Sequence, residues 1–359
     1  MTSPALATLI AGRRRAGLVT IVGFALACLL LAVVAVGQGA IAIAPSRIAE
    51  ILLAKLSGDA GLLEARDVLV VLNIRLPRVL LGLLVGAGLA VSGALMQGLF
   101  RNPLADPGLV GVSSGAALAA ATTIVLGDRF LAGTMMKLPF AALPLGAFCG
   151  GLVTTLALYL IATRGGRTSV ATMLLAGVAL GALASALTGL LAFISDDRQL
   201  RDLTFWSLGS LGGASWTKLS VVAPIILPIL MLMPFLARGL NGLMLGEAEA
   251  YHLGIPVQRI KALAILLVAL AVGASVAAAG LIGFVGIVVP HLIRLSVGPD
   301  HRLLLPLSAL GGAMLLVSAD IVARLIVVPA ELPIGIVTAA IGAPFFLWLL
   351  LRRTSLIDV

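Results

Sequence analysis

Apolar runs about as long as a bilayer is thick recur along almost the whole of this chain, broken by short polar stretches. Spans are expected near residues 18–37, 77–99, 109–126, 140–162, 170–194, 217–236, 260–279, 281–293, 303–327 and 333–351. The eighth is too short to cross a full hydrocarbon layer alone. Its Gly280, Gly283, Gly286 and Pro290 predict a bent or broken helix in a protein-lined place, because unpaired backbone is not tolerated against lipid. One polar interlude, residues 238–259 (RGLNGLMLGEAEAYHLGIPVQR), keeps a helical pattern of its own. Met244, Ala248 and Tyr251 fall on one side, Glu247 and Glu249 lie within it, and Gly254 followed by Pro256 ends it. An amphipathic helix on a short loop between spans predicts contact with a soluble partner.

Small residues follow their own period. Gly177, Gly181, Ser185 and Gly189 recur every fourth position in the fifth span, and Gly82, Gly86, Gly88, Ser92 and Gly93 line the second. Inside lipid no hydrophobic force draws helices together, so such faces mark close backbone contact. A lining for a translocation path is the sharper reading of the same faces.

Composition agrees. The chain is 61% hydrophobic and 11% charged, with a mean hydropathy of +1.19, against about a quarter charged residues in soluble domains. Its 359 residues are expected to form one transmembrane domain over 1–359. The net charge of +9 does not predict a nucleic-acid partner, because the basic residues are dispersed between spans with few aromatics beside them. Cys28 and Cys149 both lie inside apolar runs, which excludes a disulfide framework. Arg13, Arg14 and Arg15 before the first apolar run resemble a signal peptide, but the many later spans favour an uncleaved first span.

Sorting the charges orients the chain. With the N-terminus inside, the inner side holds Arg13, Arg14, Arg15, Arg101, Arg164, Arg167, Arg238, Arg259, Lys261, Arg294, Arg302, Arg352 and Arg353. Only Asp106, Glu247, Glu249, Asp300 and Asp358 oppose them, while the outer side is nearly balanced. This supports N-in and C-in and places 238–259 in the cytoplasm.

Absences narrow the function. No GxxxxGK[ST] occurs, and Lys55, Lys137, Lys218 and Lys261 are each in the wrong company for a phosphate-binding loop. An ATPase, if one drives this protein, is another polypeptide. An ion-coupled carrier needs ionisable groups near mid-bilayer. The deepest acid, Asp320, has Arg324 on the same helix face four residues later, so a structural ion pair near the outer end of the ninth span is expected rather than a proton relay. His252, His291 and His301 share no metal-ligand spacing.

Several blocks resemble the membrane subunits of type II ABC importers, the family that takes up ferric siderophores, cobalamin and haem. They are IRLPRVLLGLLVGAGLAVSGALMQGLFRNPLADPGLVGVSSGAAL (74–118), LLAGVALG (174–181), LGEAEAYHLGI (245–255), AAAGLIGFVGIVVPHLIRL (277–295), and DHRLLLPLSALGGAMLLVSADIVARL with ELPIGIVTAAIGAPFFLWLL (300–350). The resemblance implies an all-α polytopic protein of ten transmembrane helices. It also implies a homodimer in the bacterial inner membrane, two ATP-binding-cassette ATPase subunits below and a periplasmic binding protein above. This chain would bind no cofactor, ATP and magnesium being used by the ATPase partner. Residues matched to the family's motifs take expected roles. Arg75, Arg78 and Arg324 would pair with acids of the binding protein at the outer mouth, a reading preferred for the first two over simple snorkelling at the interface. Leu245, Gly246, Glu247, Glu249, His252 and Gly254 would form the coupling helix. Asn102, Pro103 and Leu104 with Val170 and Ala171 would form the cytoplasmic gate. Val170 and Ala171 lack the hydroxyls of the cobalamin relative, which fits a gate that closes by excluding water.

The outer segment 194–216 (ISDDRQLRDLTFWSLGSLGGASW) resembles haem permeases more than cobalamin or siderophore ones. Phe193, Phe205 and Trp206 with Arg198 and Arg201 would offer apolar faces and cations to a flat, dianionic haem, although Asp196, Asp197 and Asp202 largely cancel that charge. The outer half contains no histidine or tyrosine to ligate haem iron, which suits a path that must release its cargo. Three readings stand. The first is a haem importer subunit, with cobalamin or siderophore as alternatives. The others are an ion-coupled carrier and a channel or structural membrane protein.

Overall fold

The computed structural model describes residues 4–39, 43–57, 64–130 and 142–352. Arg353 and Asp358 of the inner charge set lie outside the described residues. In order, the helices are α1 (Pro4–Gly37), α2 (Pro45–Ser57), α3 (Ala65–Leu99), α4 (Val112–Phe130) and α5 (Ala142–Ala162). A two-strand hairpin, β1 (Thr163–Arg164) and β2 (Arg167–Thr168), leads into α6 (Val170–Phe193). Then come α7 (Asp197–Ser207), α8 (Trp216–Leu243), α9 (Glu247–His252), α10 (Val257–Ala279), α11 (Val285–Val297), α12 (His301–Leu325) and α13 (Ile334–Arg352).

Seven of these helices are long and apolar enough to cross a membrane, and α4, α11 and α13 are shorter apolar helices. Together they correspond to the ten spans expected. The eighth is broken as expected: residues 280–284 are not helical, Phe284 sits at φ +68°, and α11 has 13 residues. At 1.5 Å per residue it spans about 20 Å, less than a hydrocarbon core.

One boundary and two further elements differ from expectation. The second span starts at Ala65 rather than near 77, running as one helix through a π-helical stretch at Val70–Arg75. Arg75 and Arg78 therefore sit within a helix rather than at its polar end. The amphipathic α2 and the hairpin escaped a search for apolar runs. The hairpin's signal was the Gly165-Gly166 pair at φ +55° and +74°, the left-handed geometry a two-residue turn demands.

α3 is the centre of the bundle, packed against α12, α10, α8 and α11, with 83% of its most apolar window buried. Its glycines make this possible. A Cβ on Gly86 would strike the backbone carbonyl of Gly312 on α12, and one on Gly93 would strike that of Gly286 on α11. α4 and α5 pair in the same way through Gly115 and Gly150. α6 is the opposite case. Only 11% of its apolar window is buried, and Leu175, Val178, Leu183 and Leu190 are exposed.

Gly86→Val is expected to lower the unfolding midpoint in detergent, reflecting a loss of about 1–3 kcal/mol from overpacking. Gly189→Val, where an added Cβ meets nothing within 4 Å, is expected to leave that midpoint in place.

Candidate functional site

Two polar assemblies lie at opposite ends of the bundle. The first surrounds Asp320, near the C-terminal end of α12. Arg78 reaches it from α3 with two nitrogens, Nη2 to Oδ1 at 2.8 Å and Nε to both oxygens at 3.0 and 3.2 Å. Its remaining arm donates to Glu331 Oε1 at 2.9 Å. Arg324 Nε holds the other side of Asp320 at 3.1 Å, the helix-face pair expected from the sequence. Arg324 also donates to the carbonyls of Gln38 and Ala35, and Arg75 donates to those of Val36 and Gly37. Two guanidinium groups thus satisfy the carbonyls that end α1, where a helix has no acceptors' partners of its own and carries partial negative charge.

These are the three arginines expected to meet a binding protein. The structure brings them together at one end, but it buries them: Arg75, Arg78 and Arg324 are 6%, 7% and 7% exposed. Their guanidinium groups are turned onto this chain's own carbonyls and carboxylates. The early start of α3 is the cause, because it sets Arg75 and Arg78 against α1 and α12. Glu331, whose side chain is 44% exposed, is the solvent-facing member of the cluster.

At the same end, α7 opens with a capping box in which Asp196 accepts from the Gln199 amide and Gln199 reaches back to the Asp196 amide. Arg198 and Arg201 are exposed, and Phe193 is 86% exposed. Phe205 and Trp206 line a cavity of about 260 Å³ with Leu143, Pro144 and Lys218. Phe193, Arg198 and Arg201 do not join them, so the expected aromatic-and-cation mouth is divided. Lys218 is the cation at this cavity, and its lone position gave the sequence reading no reason to choose it.

The other end carries α9. Leu245, Tyr251 and Leu253 are 65%, 74% and 65% exposed, and Ala250 is the residue turned fully inward. Met244, Ala248 and Tyr251, placed on one side by the sequence, are all exposed. α9 is six residues long, and Arg238 belongs to the end of α8. Gly254, at φ +76°, closes the turn with its amide on the Tyr251 carbonyl. Glu249 and His252 are exposed, but Glu247 turns back to Lys261 Nζ at 2.6 Å.

Asn102 folds the turn after α3 by accepting the Leu104 amide at 2.9 Å. Asp106 follows and accepts the Gly108 amide at 2.6 Å. Burial pushes this carboxyl above its usual range, and the amide only partly offsets that. Val170 and Ala171 open α6, which Ser169 caps through the Thr172 amide. Asp300 caps α12. Burial opposes its ionisation, yet bonds from the Arg302 amide and Asn241 prevail and hold it below the usual range.

The FecCD transport family matches residues 21–352 of this sequence. The chain belongs to that family. The Hemin transport system permease protein HmuU of Yersinia pestis is 51% identical over 290 residues, covering 79% of this chain and 83% of the relative. The Cobalamin import system permease protein BtuC of Halobacterium salinarum is 46% identical over 281 residues, 78% and 73% of the two chains. A solved structure described as an inward-facing conformation of a metal-chelate type ABC transporter superposes with TM-score 0.79 at 34% identity. It covers 93% of this chain and 99% of that one. PsaBC from Streptococcus pneumoniae, at TM-score 0.51 and 18% identity over 84% and 94% of the chains, shares the fold alone.

This FecCD-family chain is thus an ABC importer permease of the type II fold, a multi-pass protein of the bacterial inner membrane. Permeases of this kind work with an ATPase subunit and a substrate-binding protein.

Removing one partner from a buried ion cluster costs about 3–5 kcal/mol, because the other charge is left unpaired in low dielectric. Arg78→Ala is expected to destabilise the protein on that scale, read as the largest fall in unfolding midpoint among single alanine variants of the cluster. Glu331→Ala, at its exposed edge, is expected to cost far less.

Proposed function

We propose that this chain is the membrane-spanning permease subunit of an ATP-driven importer that carries haem from the periplasm to the cytoplasm. The observation that supports this most directly is the 51% identity to a hemin permease across 79% of the chain. The resemblance of segment 194–216 to haem permeases points the same way. Cobalamin is the second reading, favoured by a group of vitamin B12 permeases 47–48% identical over 290 residues.

A second copy of the chain would cover the exposed apolar face of α6 and form a homodimer with the path between the two α6 helices. Lipid would surround the rest. ATP and magnesium would be handled by two ATPase subunits, whose clefts receive α9. The protruding Leu245, Tyr251 and Leu253, with Glu249 and His252, suit a small helix seated in a protein groove. Asn102, Pro103, Leu104, Val170 and Ala171 would form the cytoplasmic gate. With apolar Val170 and Ala171 this gate would close by dewetting. Arg75, Arg78 and Arg324 would shape the outer docking surface from beneath, with Glu331 at its rim. Transport would follow alternating access.

The cargo is tested by ATPase turnover of the reconstituted complex in the presence of a loaded binding protein. Stimulation by the haem-loaded form is expected; stimulation only by a cobalamin or siderophore form refutes haem. Tyr251→Ala is expected to weaken ATPase-subunit association by about 2 kcal/mol, the scale of an interface anchor, measured by co-purification and titration. Unchanged association would remove α9 from the interface.

A further inference from the structure

Lys261 lies in the first turns of α10, is 1% exposed and ranks among the largest fully buried side chains of the described residues. Its ammonium donates to Glu247 Oε1 at 2.6 Å and to the Thr168 carbonyl at 2.9 Å. Three residues earlier on the same helix, Gln258 Oε1 accepts the Thr168 amide at 3.0 Å. Both backbone groups of Thr168 are therefore held by one face of α10. Thr168 is itself braced across the hairpin, its hydroxyl 3.0 Å from that of Thr163. Ser169, the next residue, caps α6, and Val170 and Ala171 follow at once.

We propose that Lys261 is the positioning residue that ties the coupling helix α9 to the first turn of α6, so that displacement of α9 is passed to Val170 and Ala171 through one ammonium group. This rests on the permease reading above and adds the residue that joins its two moving parts. Burying an ammonium costs several kcal/mol unless its bonds are good, so packing alone does not favour a lysine here. Glu247 keeps 43% of its side chain in solvent and could be paired from the surface. The buried position is what lets the same group reach the Thr168 carbonyl. A linkage through two short charge-assisted bonds is directional, which an apolar side chain filling the same space is not. The hairpin holds Thr168 in place: Thr163 pairs with it across the strands and the Ser169 amide bonds the Ala162 carbonyl. Glu247 is the first residue of α9, so the tie acts at the end of the helix joined to α8 rather than at its exposed side chains.

The test uses the full complex in vesicles and reads cargo delivered per ATP hydrolysed for the parent, Lys261→Met and Lys261→Arg. Lys261→Met is expected to lower that ratio by roughly fivefold or more, the low end of a site-to-site coupling, and Lys261→Arg to recover most of it. A ratio unchanged in Lys261→Met overturns the proposal. So does a proportionate fall of delivery and hydrolysis, the pattern of a merely structural residue. Should Lys261→Met fail to assemble, Glu247→Ala removes the α9 end of the tie and leaves the ammonium on the Thr168 carbonyl. A reduced ratio in that variant supports the tie, and the parent ratio overturns it. Failure of the haem reading shows instead in the parent complex, which would then deliver another cargo, and the ratio is measured with that cargo.

Discussion

The architecture depends on backbone approaching backbone where water is absent. Lipid offers helices no hydrophobic reason to associate, so attraction comes from dispersion at short range and from polar groups with no other partner. α3 collects both. Its glycines at 86 and 93 let α12 and α11 approach until carbonyls fill the space a Cβ would take. The broken segment 280–284 has partial protein cover: Gly280 is buried against the backbone of Trp206 and Gly209, Leu281, Ile282 and Phe284 are half-buried, and Gly283 is exposed. Irregular backbone at membrane depth survives only under such cover.

Charge is then spent at the ends, and the two ends use it differently. Around Asp320, arginines act as caps and staples. They satisfy the last carbonyls of α1, bind the acid of α12 and leave one carboxylate at the surface. Planar guanidinium groups with several fixed donors suit this task. At the other end a single buried lysine, a compact charge, joins α9 to the hairpin. The first arrangement ties α1, α3 and α12 to one another, and the second lies where α9, α10 and the hairpin meet.

Much of the fold was legible without coordinates. Ten apolar segments, the break at Gly280–Gly283, the stop at Gly254 and the Asp320–Arg324 pair all follow from rules local to a few residues. What escaped was not local. The start of α3 at Ala65 was hidden because Arg66, Asp67, Asn73 and Arg75 make 65–76 look like loop, although in the fold Asp67 meets Arg47 of α2 and Arg75 meets the end of α1. Phe193, Arg198 and Arg201 looked like neighbours of Trp206 because they are close in sequence, whereas the cavity at Trp206 takes its cation from Lys218.

The sequence alone determined that the chain is a bundle of membrane helices with one polar, helical loop between spans. Hydropathy, small-residue spacing and terminator residues are properties of single segments, and lipid imposes them one segment at a time. The tertiary structure alone decided which charges face each other. Arg78 and Asp320 are separated by 242 positions and Lys261 and Thr168 by 93, and nothing within either segment names its partner. An ion pair between distant helices depends on their relative depth and rotation, which are fixed only when the glycine faces lock. Of the arginines that the sequence presented as a docking surface, Arg75 and Arg324 hold the last carbonyls of α1 and Arg78 holds Asp320, while Lys261, placed by the sequence only on the inner side, joins Glu247 to Thr168.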